Sequence, residues 1–212
     1  MDLRELNLKK TADDLKNNIP RDIFIIQTIH TIDLLLLEIN RVISNLRERY
    51  GYFNPKSSRI LEYEELIKEI KKFKKGELGI DFTNEDLNSI GDLIKLIEEL
   101  VLLEKIQEKY IESLMEKQCP KLLDASGALI GARLIDIAGS IKNLAEMPSS
   151  RIQVLGAEKS LFKHLKTGSK PPKFGFIFNH ESVLKAENKG KAARHLAAKI
   201  SIAVKQDYFG NR

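Results

Sequence analysis

The sequence predicts an all-α protein, an antiparallel coiled-coil arm followed by a compact helical domain. Three observations lead there. Apolar or aromatic side chains recur at Ile25, Ile29, Ile32, Leu36, Ile39, Ile43, Leu46 and Tyr50, in alternating steps of four and three. That is the heptad spacing of a helix with one buried seam. A second run, Leu87, Ile90, Ile94, Ile97 and Val101, repeats the spacing after a connector, so the two helices read as a hairpin. Charged residues make up 31% of the chain and aromatics 7%, with no Trp, which favours long helices over a sheet sandwich.

Residues 1–19 form a polar, mixed-charge segment with a weak apolar pattern at Leu3, Leu6, Leu8 and Leu15. Pro20 then opens the first long helix, since proline is tolerated in a first turn. Leu34, Leu35 and Leu37 widen its apolar surface beyond one seam, which calls for more than one packing partner. Gly51 is expected to end this helix, with a turn through Pro55. A short amphipathic helix is expected over 58–75, its apolar side formed by Tyr63, Leu66, Ile67, Ile70 and Phe73. The lysines at 71, 72, 74 and 75 complement its dipole and sit beside Glu62, Glu64, Glu65 and Glu69. Thr83 or Asn84 caps the return helix. Its register is expected to loosen after Val101, through Leu103, Ile106 and Tyr110 to Leu114. The arm thus covers 20–119.

Cys119-Pro120 marks the junction to a second domain, 120–212. One helix is expected from Leu122 to Leu144, with Gly127, Gly131 and Gly139 inside it as points of close helix–helix contact, and Met147-Pro148 stops it. Ser149 and Ser150 can cap the next helix, followed by Ile152, Val154 and Leu155. Gly156-Ala157 lets another surface approach a helix start. Lys159, Lys163 and Lys166 then share one helix face, with Leu161 and Leu165 expected on the opposite side in the core. Such a stripe suits a phosphate backbone, the alternative being a solvated lysine face. Beyond the turn at 168–172, Phe174, Phe176, Ile177 and Phe178 are expected in the core, with base stacking as the alternative role for a phenylalanine. The final helix, about 188–206, groups Lys191, Arg194 and Lys205 with Ala198 on one side. Ala193, Leu196, Ala197, Ile200 and Val204 point to the core.

Charge separates the halves. Residues 1–120 hold 19 Lys and Arg against 23 Asp and Glu, a net of −4, whereas 121–212 hold 16 against 7, a net of +9. A polyanionic partner is therefore expected for the second half only. A single cysteine, Cys119, excludes an internal disulfide or a multi-cysteine zinc site. His164, His180 and His195 lie within one segment, but no spacing there suits a metal. No stretch approaches the ~20 apolar residues of a membrane span, and a soluble intracellular protein is expected. No nucleophile, base and orienting acid stand together in a motif, and no strand–glycine-loop–helix unit offers a cofactor site.

The second half also carries a resemblance. Gly156-Ala-Glu-Lys159-Ser-Leu-Phe-Lys-His-Leu165, Pro172-Lys-Phe-Gly175 and Ile177-Phe-Asn-His180 resemble the signature of the Nop domain. Gly127-Ala-Leu-Ile-Gly-Ala-Arg-Leu-Ile135, Asn143-Leu-Ala-Glu-Met-Pro148 and Lys189-Gly-Lys-Ala-Ala-Arg-His-Leu-Ala-Ala-Lys199 resemble its other blocks. The match covers essentially all of 120–210 and, more loosely, 20–118. The chain is most similar to the archaeal Nop scaffolds of box C/D ribonucleoproteins, which guide RNA 2′-O-methylation. Where that family often shows Trp-Tyr-Gly and His-Phe-Pro at the coiled-coil tip, this chain has Arg49 before Tyr-Gly and Asn54 before the proline.

The resemblance implies a non-catalytic scaffold with no cofactor of its own, binding the composite of a kink-turn guide RNA and the core protein already seated on it. RNA contacts would come from Lys159, Lys163, Lys166, Lys191 and Arg194. Gly156, Ala157, Glu158 and His180 would face the partner protein or the composite. It further implies a homodimer through the coiled coil. Fibrillarin, which carries S-adenosylmethionine, would dock on a separate N-terminal domain that these residues do not contain. The expected setting is the archaeal cytoplasm, or the nucleolus or nucleus of a eukaryote. The alternatives are a Nop-domain splicing factor of a small nuclear ribonucleoprotein, and a coiled-coil adaptor with a basic protein-binding end.

Overall fold

The computed structural model describes residues 3–18 and 20–210, the side chains of 16–18 excepted. Met1, Asp2 and Ile19 of the N-terminal segment lie outside them. Eleven α-helices and no strand are found among the described residues, the all-α class expected. The chain divides into two compact units, Thr31–Gln107 and Met1–His30 with Glu108–Arg212. The expected arm limits at 20 and 119 fall at the ends of two long helices. Compactness instead divides each of those helices internally.

In the 31–107 unit, the later part of α2 (Asp22–Phe53) packs against the earlier part of α4 (Asn84–Gln118). Ile39, Ile43, Leu46 and Tyr50 meet Ile90, Ile94 and Ile97 in one apolar cluster, which Leu66, Ile67 and Ile70 of α3 (Tyr63–Ile70) complete. The heptad seam of α2 is buried as expected except at Leu36, which is exposed. The cap of α4 is reciprocal: the Thr83 N–H and hydroxyl donate to Asp86 Oδ2 at 2.9 and 2.7 Å, and the Asp86 N–H donates to Thr83 Oγ1 at 3.2 Å. These bonds hold the Asp86 carboxyl below the usual carboxylate range.

Two expectations fail at the tip. Gly51 does not end α2, which continues to Phe53; a single interior glycine costs only ~1 kcal/mol, and the flanking Tyr50 and Phe53 are buried. The helix expected over 58–75 is shorter. Pro55–Arg59 form a 3-10 turn capped by Asn54, and Lys71–Lys75 lie beyond the end of α3, where Phe73 takes a positive φ of 46°. The chain returns over Phe53, whose carbonyl accepts from the Gly76 N–H at 3.0 Å. A Cβ at Gly79 would lie 1.8 Å from that oxygen.

A third correction concerns α4. The register does not loosen after Val101. The inward positions continue at 104, 108, 111 and 115 in unbroken steps of three and four, with Glu104 and Glu108 half-buried and Ile111 and Met115 fully buried. Leu102, Leu103, Ile106 and Tyr110 are left exposed.

In the other unit, α1 (Leu3–Asn18) buries none of Leu3, Leu6, Leu8 or Leu15. The helix expected over 122–144 is three: α5 (Pro120–Ser126), α6 (Ala128–Ala138) and α7 (Ile141–Glu146). Gly127 and Gly139 are the breaks, with φ of 74° and 81°, a region that only glycine enters cheaply. Gly131 alone fits the close-contact expectation: a Cβ there would sit 2.5 Å from Met115 Cε.

The remaining helices are α8 (Ser149–Val154), α9 (Glu158–Thr167), α10 (Glu181–Leu184) and α11 (Lys189–Phe209). The centre is α11, which packs on α5, α7, α8 and α10 and buries Ala193, Leu196, Ala197, Ile200 and Val204 as expected. Two buried aspartates tie other helices by their N-termini. Asp207 accepts from the Leu122 N–H at 2.8 Å and the Lys121 N–H at 3.2 Å, and Asp22 accepts from the Ile141 N–H at 2.9 Å. Both act on Cys119, whose thiol burial pushes to about 12, with Asp207 and Asp22 adding to the rise.

Candidate nucleic-acid interface

Helix α9 is set by its two ends. At the start, α8 ends at Val154 and Gly156 turns the chain with φ 87°. A Cβ on Gly156 would lie 2.2 Å from Phe176 Cδ2, so this glycine is required by a ring of the same chain. That ring is brought in by a tight pairing of two segments: the Gly175 N–H donates to the Gln153 carbonyl and the Phe176 N–H to the Leu155 carbonyl, both at 2.8 Å. The Arg133 guanidinium lies over the Phe176 ring, 5.4 Å from its centroid. The Glu158 carboxylate reaches back and accepts from the Gly156 N–H at 2.7 Å. Ser149 and Ser150 are not caps. Pro148 holds the N-cap position and both serines lie inside α8.

At its far end α9 stops at Gly168, in the left-handed region, and His164 Nδ1 bonds the Ser169 carbonyl. Between its ends the helix buries nothing. Leu161 and His164 are half-buried and form the inner side. Lys159, Lys163 and Lys166 are exposed, as a binding stripe requires. Leu165, expected in the core, is instead 70% exposed, and so is Phe162 at 62%. At ~100° per residue Phe162 lies only about 40° from Lys166. The outward face of α9 therefore carries a basic stripe with an apolar strip directly beside it.

Lys191 and Arg194 are exposed on the first turns of α11, where Asn188 Oδ1 accepts from the Lys191 N–H at 3.0 Å. Ala157 is the half-buried N-cap of α9. His180 is occupied within the fold: its Nδ1 accepts from the Ser182 N–H at 3.2 Å and it caps α10. Among Phe174, Ile177 and Phe178 only Ile177 is fully buried; Phe176 is half-buried as well. Phe174 and Phe178 stack face to face, 4.6 Å between centroids. The exposed Phe162 was not singled out from the sequence. Its place about 60° from Lys159 on a helix of ten residues was the signal available. Among the described residues no group of three or more His, Cys, Asp or Glu could hold a metal ion.

Residues 41–212 match the family described as Nop, snoRNA binding domain, fibrillarin. An uncharacterised NOP5 family protein of Methanocaldococcus jannaschii is 36% identical, over 90% of this chain and 53% of its own length. Nucleolar protein 58 of Schizosaccharomyces pombe is 34% identical, over 90% of this chain and 43% of its own. The chain spans about half the length of these relatives. A solved structure, that of a fibrillarin/Nop5p complex, is similar with a TM-score of 0.56 and 28% identity, over 99% of this chain and 70% of that one.

Proposed function

The chain belongs to the Nop domain family, and from that premise we propose that it is a non-catalytic scaffold of a box C/D guide ribonucleoprotein, binding a kink-turn RNA together with the core protein seated on it. The observation that carries this reading is the outward face of α9. Lys159, Lys163 and Lys166 supply point charges for phosphates, while exposed Phe162 and Leu165 supply apolar surface that RNA backbone does not need. A face of both kinds suits a partner that is part RNA and part protein. Lys191 and Arg194, exposed on α11, add basic residues to this domain, and Gly156, Ala157 and Glu158 set where α9 begins. His180 contributes by capping α10. The methyl-transfer chemistry supported by such a particle belongs to fibrillarin.

The same reading includes a homodimer through the arm. Its support is the apolar surface that the 31–107 unit leaves uncovered: Leu34 at 62%, Leu102 at 60%, and beside them Leu37, Leu103 and Ile106. Light scattering on 1–212 should give twice the chain mass, and a monomer at high concentration rejects this part.

The direct experiment is a gel-shift with kink-turn RNA, alone and with its primary binding protein. The chain should shift the RNA–protein complex far more strongly than the RNA alone. Equal shifts would reject the composite. No salt-sensitive shift in either case would favour a coiled-coil adaptor with a basic protein-binding end.

A further inference from the structure

We propose that the stacked pair Phe174–Phe178 is a platform for one unpaired RNA base, with Phe174 as the face the base stacks on. The inference rests on the RNA-binding reading above and adds a position that reads an unpaired nucleotide rather than the backbone. The two rings are nearly parallel, 14° apart, with centroids 4.6 Å from one another. Lys189 Nζ lies 5.1 Å from the Phe178 centroid. An ammonium that near has no room on the face that Phe174 covers, so it takes the other. The order is then Lys189, Phe178, Phe174, and the column can be lengthened only at Phe174.

The platform is held rigidly from below. Ile177, between the two rings in sequence, is fully buried. The Gly175 N–H is bonded to Gln153, and a Cβ at Gly175 would lie 1.8 Å from the Leu155 carbonyl. Gln153 Nε2 donates to the Lys173 carbonyl at 2.6 Å, fixing the residue before Phe174. Both rings nevertheless remain partly exposed. Rigid, partly exposed aromatics are what sequence-tolerant base stacking needs, because every base offers a π-face and the protein side loses little freedom.

The surrounding charge selects the occupant. Residues 167–191 contain Lys170, Lys173, Lys185, Lys189 and Lys191 against only Glu181 and Glu187, and Glu181 is paired with Lys185. Lys173 runs past the start of α11, its Cδ 4.0 Å from where a Cβ on Gly190 would be, so it joins Lys189 and Lys191 at one edge of the stack. A base on Phe174 would carry its flanking phosphates into that group of lysines. An apolar protein side chain would gain nothing from them.

The test uses 1–212 with kink-turn RNA and its primary binding protein, the RNA carrying 2-aminopurine at each unpaired position in turn. At one position binding should quench the fluorescence through stacking, and Phe174→Leu should abolish that quench. Phe174→Leu should also weaken binding roughly tenfold, the lower part of the range for a stacked base, without changing the salt dependence. Phe174→Tyr should bind and quench as the unsubstituted chain does. Normal affinity in Phe174→Leu, or no quench at any position with the unsubstituted chain, overturns the platform and leaves the scaffold reading standing. A loss confined to protein–protein binding, with RNA contact unchanged, overturns it too. Failure of the unsubstituted chain to bind RNA under any condition rejects both.

Discussion

Helices α9 and α11 were written in nearly the same code. Each shows lysines on one side and leucine or isoleucine on the other, and from the pattern alone both should hold the core with one face and meet phosphate with the other. Only α11 does so: Leu196, Ile200 and Val204 are buried beneath four other helices. Helix α9 buries nothing, and Phe162 and Leu165 stand in solvent. The difference is one of length and anchorage. Twenty-one residues give α11 enough surface to organise its neighbours, whereas ten residues, held at Gly156 and Gly168, make a short projecting turn of chain. An amphipathic pattern identifies a face that needs covering. It does not say whether the cover belongs to the same chain.

The contrast can be broken by substitution. Ile200→Ala in α11 should cost about 2–5 kcal/mol, a buried truncation, and show as a large loss of melting temperature by circular dichroism. A loss under 1 kcal/mol would mean that α11 is not the organising helix. Gly156→Ala should come next, at roughly 1–3 kcal/mol, because alanine is strained at φ 87° and its methyl would overlap the Phe176 ring. If that variant melts like the parent, α9 is not anchored there. Leu161→Ala, read from the sequence as a core truncation, should now cost only about 1 kcal/mol, since the side chain is half-buried. Leu165→Ala should change stability by less than ~0.5 kcal/mol and yet weaken binding to the RNA–protein complex. Binding unchanged in Leu165→Ala would show the apolar strip to be idle.

How far the sequence could be read follows the same division. The seam of α2, the cap at Thr83 and the inward face of α11 were legible because apolar spacing and capping residues act locally. The continuing register of α4 was not, because Glu104 and Glu108 occupy seam positions while Leu102, Leu103 and Ile106 face outward. Gly127 and Gly139 read as interior glycines, since nothing in a single sequence distinguishes a helix break with positive φ from a close contact. The lysines of the candidate site were legible as a stripe. The apolar strip beside them was not, because it depends on which surface remains uncovered after folding.

Lys163→Glu decides whether the outward face of α9 meets phosphate as well as protein. Lys163 is exposed, so the substitution should leave the melting curve within ~0.5 kcal/mol of the parent. The measurement is affinity for the kink-turn RNA–protein complex across a salt titration. Lys163→Glu should bind more weakly, the deficit being largest at low salt, where phosphate contacts contribute most, and should show a shallower dependence of affinity on salt. Equal affinity to the parent across the whole salt range would contradict it and leave the lysines of α9 as a solvated face.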